Sequence, residues 1–436
     1  MLCSARMSAA ARRIIRAWML YDFANSAFAA IVQATVFPAY YANVVVGNAE
    51  GRGDFWWGAL VSLSMALVAL SSPLLGGIAD HAGVRKPLFV SLTALSVVTT
   101  ALLAAVGPGM ILTGFVLGVL GLFAYEAAIV YYNSYLPLLA PSGEMGRVSA
   151  GGFAVGYAGS IVAFLAAWPF AAAGRYGGCF LVAAVLFGAF SLPAFITLPA
   201  DSGQRRPLTT ALSRGVSQTV ATLREIVTST ERTQMRRFLA AYLVYEDGVN
   251  TVISFSAVFA ATTLGFSFSE IIVLFMLVQV TALLGSAAWA RATDTRGPRL
   301  VVTLTLVQWA AVTLLAFLVT AKWEFWVVGM IAGLGLGAIQ AASRTLMATL
   351  IPPGREAEFF GFYALVGKTG AVLGPFVFGA VSRALHGNQR AAILAVGAFF
   401  VVGLMLLSRV SAGGPTSWEG STDLDRDRRN QQHEQQ

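Results

Sequence analysis

Asp80-His81-Ala82-Gly83-Val84-Arg85 lies between two long apolar runs, and Asp294-Thr295-Arg296-Gly297-Pro298-Arg299 lies between two more. The two segments share an Asp-x-x-Gly-x-Arg pattern at an offset of 214 residues, about half of the 436-residue chain. Glycine allows the tight turn that joins two antiparallel helices. The same turn at matching places predicts two related halves, each a bundle of membrane helices, which is the architecture of a secondary carrier.

Composition agrees. The chain is 57% hydrophobic and 11% charged, whereas soluble domains carry about 25% charged residues. This predicts an integral membrane protein and excludes a large soluble domain. Net charge is +8, which raises nucleic acid as a partner. No basic patch is interleaved with a soluble fold, so nucleic-acid binding is not expected. The arginines instead suit loops that face anionic lipid and set topology. Cys3 and Cys179 are too far apart to suggest a disulfide framework or a cysteine metal site. Arg6, Arg12, Arg13 and Arg16 precede an apolar run too long and too polar for a signal peptide, and no cleavage site follows, so a retained first span is expected.

A spanning helix needs about 20 mostly apolar residues. Six such runs fall in an N-terminal bundle, 1–198: 14–41, 55–78, 87–106, 110–139, 148–172 and 177–198. Six more fall in a C-terminal bundle, 236–410: 236–262, 269–290, 300–320, 324–350, 359–384 and 389–410. Residues 199–235 form a linker, and 411–436 a polar tail whose composition predicts disorder. On this map Arg52, Arg175, Lys322, Arg383 and Arg390 face one side, and Arg344 and Lys368 fall within spans. The remaining 22 of the 29 Lys and Arg share the other side with both termini, which makes that side the cytoplasm. In the linker, Leu212, Val216, Val220, Leu223 and Val227 recur at helical spacing. They predict a short amphipathic helix, either lying on the membrane surface or packed under the bundle.

The first spans of the halves match as well. Arg12, Asp22 and Asn25 correspond to Arg237, Asp247 and Asn250 at an offset of 225. In the repeated turns, Asp80 and Asp294 are placed to meet the positive N-terminal end of a helix from the opposite half. Arg85 and Arg299 are placed to pair with an acid or a lipid phosphate. Asp80, Gly83, Arg85, Asp294, Gly297 and Arg299 are therefore candidate gate residues; the plainer reading is charged turns that only set topology.

Gly76-Gly77-Ile78-Ala79-Asp80-His81-Ala82-Gly83-Val84-Arg85-Lys86 resembles the signature loop between spans two and three of the major facilitator superfamily. His81 and Val84 stand where that signature usually has basic residues. Gly370-Ala371-Val372-Leu373-Gly374-Pro375 resembles the superfamily's glycine-proline motif, here in span eleven. Trp18-Met19-Leu20-Tyr21-Asp22-Phe23-Ala24-Asn25-Ser26-Ala27-Phe28 is similar to the first-span signature of the autophagy-related vacuolar amino-acid effluxer family and its bacterial relatives. So are Asn133-Ser134-Tyr135-Leu136-Pro137, Tyr157-Ala158-Gly159, Gln340-Ala341-Ala342-Ser343-Arg344, Ile351-Pro352 and Glu358-Phe359-Phe360-Gly361-Phe362-Tyr363. The resemblance covers nearly all of the chain except linker and tail. It implies an all-α major facilitator fold of twelve transmembrane helices in two pseudo-symmetric bundles, and export of an amino acid or related small solute.

Charged groups inside spans are the candidates for binding. Asp22, Glu126, Glu246, Asp247, Arg344 and Lys368 would each cost about 2.5–3.5 kcal/mol facing lipid at a helix centre. Most must face the bundle interior, one another or water. Asp22 and Asn25 share a helix face, as do Asp247 and Asn250. By repeat symmetry the two pairs should face each other across a central cavity. They read either as a site for a proton or a substrate ammonium, or as polar contacts between helices one and seven. Glu126 and Glu246 are each either a protonation site or a structural partner of Lys368 or Arg344. Arg344 stands about 12 Å before Pro352 along a helix. With Asp22 or Asp247 it offers both charges that a zwitterion needs; the alternative is a fixed salt bridge. Tyr131, Tyr132, Asn133 and Gln340 are candidate cavity-lining residues.

Gly367-Lys368-Thr369 mimics the end of a phosphate-binding loop, but Phe362 stands where its first glycine belongs. His81, His386 and His433 are dispersed, so no metal site, cofactor or catalytic cluster is expected. The expected protein is not an enzyme. It is a monomeric carrier that moves a small polar solute across a bacterial inner membrane by alternating access, with protons as a candidate coupling ion. A drug or sugar carrier on the same fold is the nearer rival; a non-transporting membrane receptor or enzyme is the remote one.

Overall fold

The computed structural model describes residues 8–47, 52–141, 143–200, 219–370, 373–386 and 388–411. Among them every regular element is helical. In the first half, α1 runs over Ala9–Val46, α2 over Arg52–Ala82, α3 over Arg85–Leu102, α4 over Ile111–Ser134, α5 over Met145–Ala172 and α6 over Tyr176–Thr197. A short helix, 219–228, lies in the linker. In the second half, α7 is Thr233–Leu264, α8 Phe268–Thr295, α9 Pro298–Leu318, α10 Lys322–Leu350 and α12 Gln389–Ser408. Between these last two, α11 is described in two pieces, Glu356–Gly370 and Leu373–Ala384.

Ten of the described helices are long and apolar enough to cross a membrane. The two expected spans that fall short, α7 and α11, both carry charge within their length. α7 holds Arg236, Arg237, Glu246 and Asp247. α11 opens on Glu356 and Glu358, and its pieces have 15 and 12 residues.

Two features depart from the expected pattern. α1 widens into π-type turns over Ala29–Thr35 and Tyr41–Val46. Pro38 lacks an N–H and disfavours a regular ladder here, and the Thr35 hydroxyl donates to the Ala30 carbonyl at 2.6 Å. In the linker, Val220, Leu223 and Val227 are exposed, whereas Thr222 and Ile226 are buried. The described part of the helix packs against the bundle, through its polar side and Ile226 rather than through the apolar stripe. The helix sits on the charged first turn of α11, to which its polar face is the better match. Leu212, Val216 and the tail lie outside the described residues.

Aromatic packing seats α1 in its half. Tyr21 packs in tilted contact with Phe89 of α3, Tyr132 of α4 and Phe187 of α6, with ring centroids 4.6, 4.9 and 6.0 Å away. The halves meet along α2–α11 and along α5 with α8 and α10. Close helix approach in membranes relies on small residues. A side chain at Gly76 would strike the Ala357 carbonyl, and one at Gly361 would strike Ser72 and Pro73. On the other seam, Ser149 donates to the Ala341 carbonyl at 2.9 Å and Ser286 to the Ala150 carbonyl at 2.7 Å. These contacts lie toward the side of the bundle on which the described residues begin and end. On that side the two halves are in direct contact.

Candidate functional site

Each repeated turn caps a helix of the opposite half. Asp80, at the end of α2, accepts from the backbone N–H groups of Ala357 and Glu358 at 3.3 and 2.9 Å, in the first turn of α11. Asp294, at the end of α8, accepts from the N–H groups of Gly146 and Arg147 at 2.6 and 3.2 Å, in the first turn of α5. The first turn of a helix has N–H groups without internal partners, and a carboxylate there also meets the helix dipole.

The arginines of the two turns behave differently. Arg85 bridges Asp80 at 2.6 Å and Glu356 at 3.0 Å. Arg299 instead donates to the Ser408 carbonyl at the end of α12 at 2.9 Å. The cation on Asp294 is Arg147, at 2.7 Å. Gly83 and Gly297 take positive φ, 64° and 89°, as turn glycines do.

Deeper in the bundle, Asp22 of α1 is buried and bound from three sides. The Tyr132 hydroxyl of α4 donates to Oδ2 at 2.7 Å. The Asn25 amide donates to Oδ1 at 3.3 Å. Arg344 of α10 reaches Oδ2 at 3.4 Å. The guanidinium is held more tightly by Ser149 of α5, through the hydroxyl at 2.9 Å and the carbonyl at 2.6 Å, and it also reaches Asn133 Oδ1 at 3.3 Å. Phe153, Trp18 and Tyr132 surround it, with ring centroids 4.1, 4.9 and 5.6 Å from its central carbon. A desolvated guanidinium over aromatic faces gains up to about 2 kcal/mol per contact. Trp18 is itself fixed by stacking on Tyr132 at 4.5 Å and by donating its indole N–H to the Tyr132 carbonyl at 2.9 Å.

A second charge pair crosses between the halves. Lys368 of α11 meets Glu126 of α4 at 2.7 Å, and Gln33 of α1 donates to the same oxygen at 3.2 Å. Gln33 sits in the first wide turn of α1, the kind of irregularity frequent at functional sites. Tyr157 of α5 donates to Gln340 of α10 at 2.6 Å, a further polar contact between the halves. In both charge pairs the first half supplies the carboxylate and the second half the cation.

Asp247, the repeat partner of Asp22, has other neighbours. Its Oδ2 accepts from the backbone N–H of Gly374 at 2.8 Å, near the start of the second described piece of α11. Its Oδ1 is buried and has no hydrogen-bond partner among the described residues. The pairs Asp22/Asn25 and Asp247/Asn250 thus have different immediate neighbours. Asp22 turns to α4 and α10, where Tyr132 and Arg344 satisfy it, and Asp247 turns to α11. Asn250 is half-buried, and its carbonyl accepts from Ser254 at 2.8 Å. Glu246 is half-buried and close enough to Lys368 to feel its charge. Tyr131 is buried, with a hydroxyl that finds no partner among the described residues.

Ser149, Phe153, Gln33, Arg147 and Glu356 were not among the sequence candidates. One signal could have led to the last two. Pro141-Ser142-Gly143 and Pro352-Pro353-Gly354 open α5 and α11 at an offset of 211, a third repeat. Gly143 and Gly354 have nearly equal positive φ, 84° and 83°.

Residues 58–413 match the family described as "Vacuole effluxer Atg22 like". The chain belongs to the Atg22-like effluxer family. Among its relatives, the "Uncharacterized MFS-type transporter YxiO" of Bacillus subtilis (strain 168) is 27% identical, over 93% of this chain and 95% of that one. "Autophagy-related protein 22-1" of Aspergillus niger is 25% identical over 81% of this Atg22-like chain and 72% of its own. Among solved structures, the major facilitator proton:xylose symporter XylE has a TM-score of 0.73 at 13% identity, covering 92% of this chain and 96% of that one. The human organic anion transporter MFSD10 has a TM-score of 0.72 at 16% identity, covering 91% and 99%. The Atg22-like chain is thus a multi-pass membrane transporter of the major facilitator fold, not an enzyme.

Proposed function

We propose that the chain carries an amino acid outward by alternating access, with Asp22, Arg344, Glu126 and Lys368 as the groups that read the substrate. The observation that carries this reading is the sign pattern across the interface. A zwitterion needs a carboxylate and a cation a few ångströms apart. Two such pairs stand between the halves, at 3.4 and 2.7 Å. A solute with one ammonium and one carboxylate can exchange with either pair charge for charge and leave no ion unpaired. A neutral sugar or an apolar drug would have to leave both pairs closed or strand their charges, which is costly in a dry site.

Arg344 is the more selective member. Its guanidinium matches a carboxylate with two parallel hydrogen bonds, and its bonds to Ser149 fix its plane. Tyr132, Asn25 and Asn133 orient the charges; Gln340 and Tyr157 close one wall. The two Asp-capped turns serve as gates on the terminal side. Export is supported by the effluxer description of the family. Proton coupling falls to Asp247, because it is buried with no cation paired to it among the described residues, while Asp22 already has one. The distribution of Lys and Arg supports a bacterial inner membrane with both termini in the cytoplasm. A monomer suffices, since one chain contains both halves.

The test is counterflow in proteoliposomes preloaded with a mixed amino-acid pool. Labelled amino acid should enter with wild-type protein and not with Arg344→Ala. Absence of amino-acid uptake by folded wild type would reject the amino-acid reading and turn the search to other solutes.

A further inference from the structure

The helix 219–228 reaches both partners of one gate. Near its start, the Thr219 hydroxyl lies 3.5 Å from the Pro73 carbonyl of α2. Bare Gly77, one helical turn further along α2, lets Thr219 and the Glu358 side chain come close together over it. In its middle, Thr222 is buried and its hydroxyl bonds both Glu358 and Arg355, in the first turn of α11. Glu225 then takes Arg355 at 2.9 Å and Arg232 at 2.6 Å. Arg355 also holds Glu358 at 2.9 Å and lies over the Phe359 ring at 4.9 Å. At its far end, Arg236 of α7 caps the helix by donating to the carbonyls of Ile226, Val227 and Ser229 at 3.3, 2.7 and 3.3 Å.

The charges on this surface are held in their ionised forms. Burial acts most strongly on Glu225 and would raise its carboxyl. Hydrogen bonds and charge from Arg355 and Arg232 together outweigh it and hold the group below the ordinary carboxylate range. For Arg355 burial acts in the opposite sense, and Glu358 and Glu225 together raise it above its ordinary value.

The turn of α11 gripped in this way is the one whose Ala357 and Glu358 N–H groups receive Asp80, and whose Glu356 receives Arg85. Among the described residues, no linker helix bonds the matching gate, Asp294 on the first turn of α5. We propose that the 219–228 helix is a brace on one gate only. Docked, it holds the first turn of α11 where Asp80 caps it. Undocked, it frees the α2–α11 gate and leaves the α5–α8 gate in place. A modification or partner acting on the linker would then set how readily the terminal side opens, without touching the substrate site.

Hydrogen exchange on the full-length protein in nanodiscs tests this, because amide exchange reads local opening. Thr222→Val removes the hydroxyl and keeps the shape. Amides of 76–85 and 354–361 should exchange about tenfold faster, the factor expected for loss of one hydrogen bond to a charged group. Amides of 144–150 and 290–297 should not change. Thr222→Ser keeps the hydroxyl and should match wild type. If Thr222→Val proves unstable, Glu225→Gln offers the same comparison from the next turn. Faster exchange confined to 219–228, or equal acceleration at both gates, would overturn the proposal.

Discussion

Asp22 and Asp247 hold the same place in their halves, and both lie under a glycine of the fifth helix of their own half. A side chain at Gly152 would strike Asp22 Oδ2, and one at Gly374 would meet Asp247 Oδ1 at 2.7 Å. The duplication has therefore kept the packing of first helix against fifth. What differs is the polar surroundings. Asp22 has a tyrosine, an asparagine and an arginine from the opposite half. Asp247 has the Gly374 backbone N–H, and its Oδ1 finds no hydrogen-bond partner among the described residues. Membrane packing is thus the shared part of the repeat, and charge is the part in which the halves have specialised.

The largest expected effect is at Arg344. Arg344→Ala should abolish counterflow and destabilise the protein by about 3–5 kcal/mol, because a buried carboxylate loses its cation. Arg344→Lys keeps the charge but not the two parallel bonds, and should fold with counterflow reduced at least about tenfold. Equal activity of the lysine variant and wild type would break the claim that guanidinium geometry matters.

The two aspartates should then separate. Asp22→Asn should lose both counterflow and uphill transport, since it takes the charge opposite Arg344. Asp247→Asn should lose uphill accumulation driven by a pH gradient and keep counterflow. Unchanged accumulation in Asp247→Asn would remove it from coupling.

Smaller effects test the shared packing. Gly152→Ala and Gly374→Ala should each lower stability by about 1–3 kcal/mol through overpacking, measured by thermal melting. Only Gly152→Ala should also weaken substrate affinity, because it displaces the carboxylate that faces Arg344. The smallest change is expected from Lys368→Met. The Lys368 side chain is 29% exposed, and partly solvated pairs contribute about 0.2–1 kcal/mol. A rise in apparent KM of no more than about fivefold should result.

Much of this was legible in the sequence because the fold is a repeat. The turns at Asp80 and Asp294 fixed the duplication, and apolar run lengths fixed the helices. The capping of opposite helices followed from a carboxylate's affinity for a helix start. The partners were harder to foresee. Ser149 reaches Arg344 across 195 residues of sequence, and nothing in its immediate neighbours marks it. Symmetry was of limited use at Asp247, because a matched position predicts matched packing but not matched polar neighbours. The apolar stripe of the linker left two placements open for a related reason. Periodicity shows that a helix has an apolar face, not which face its neighbours will accept.

The wide turns of α1 have a consequence for how the two charge pairs relate. A π-type turn holds more residues than a regular one, so α1 carries slack between Asp22 on one side and its outer end on the other. Drawing out one residue of slack would swing the outer segment by about 100° around the helix axis. Gln33 would turn away from Glu126, while Asp22, which lies before the slack, would keep its bearing toward Arg344. A single helix can thus act as two spindles on one shaft, so that one pair is adjusted while the other stays engaged.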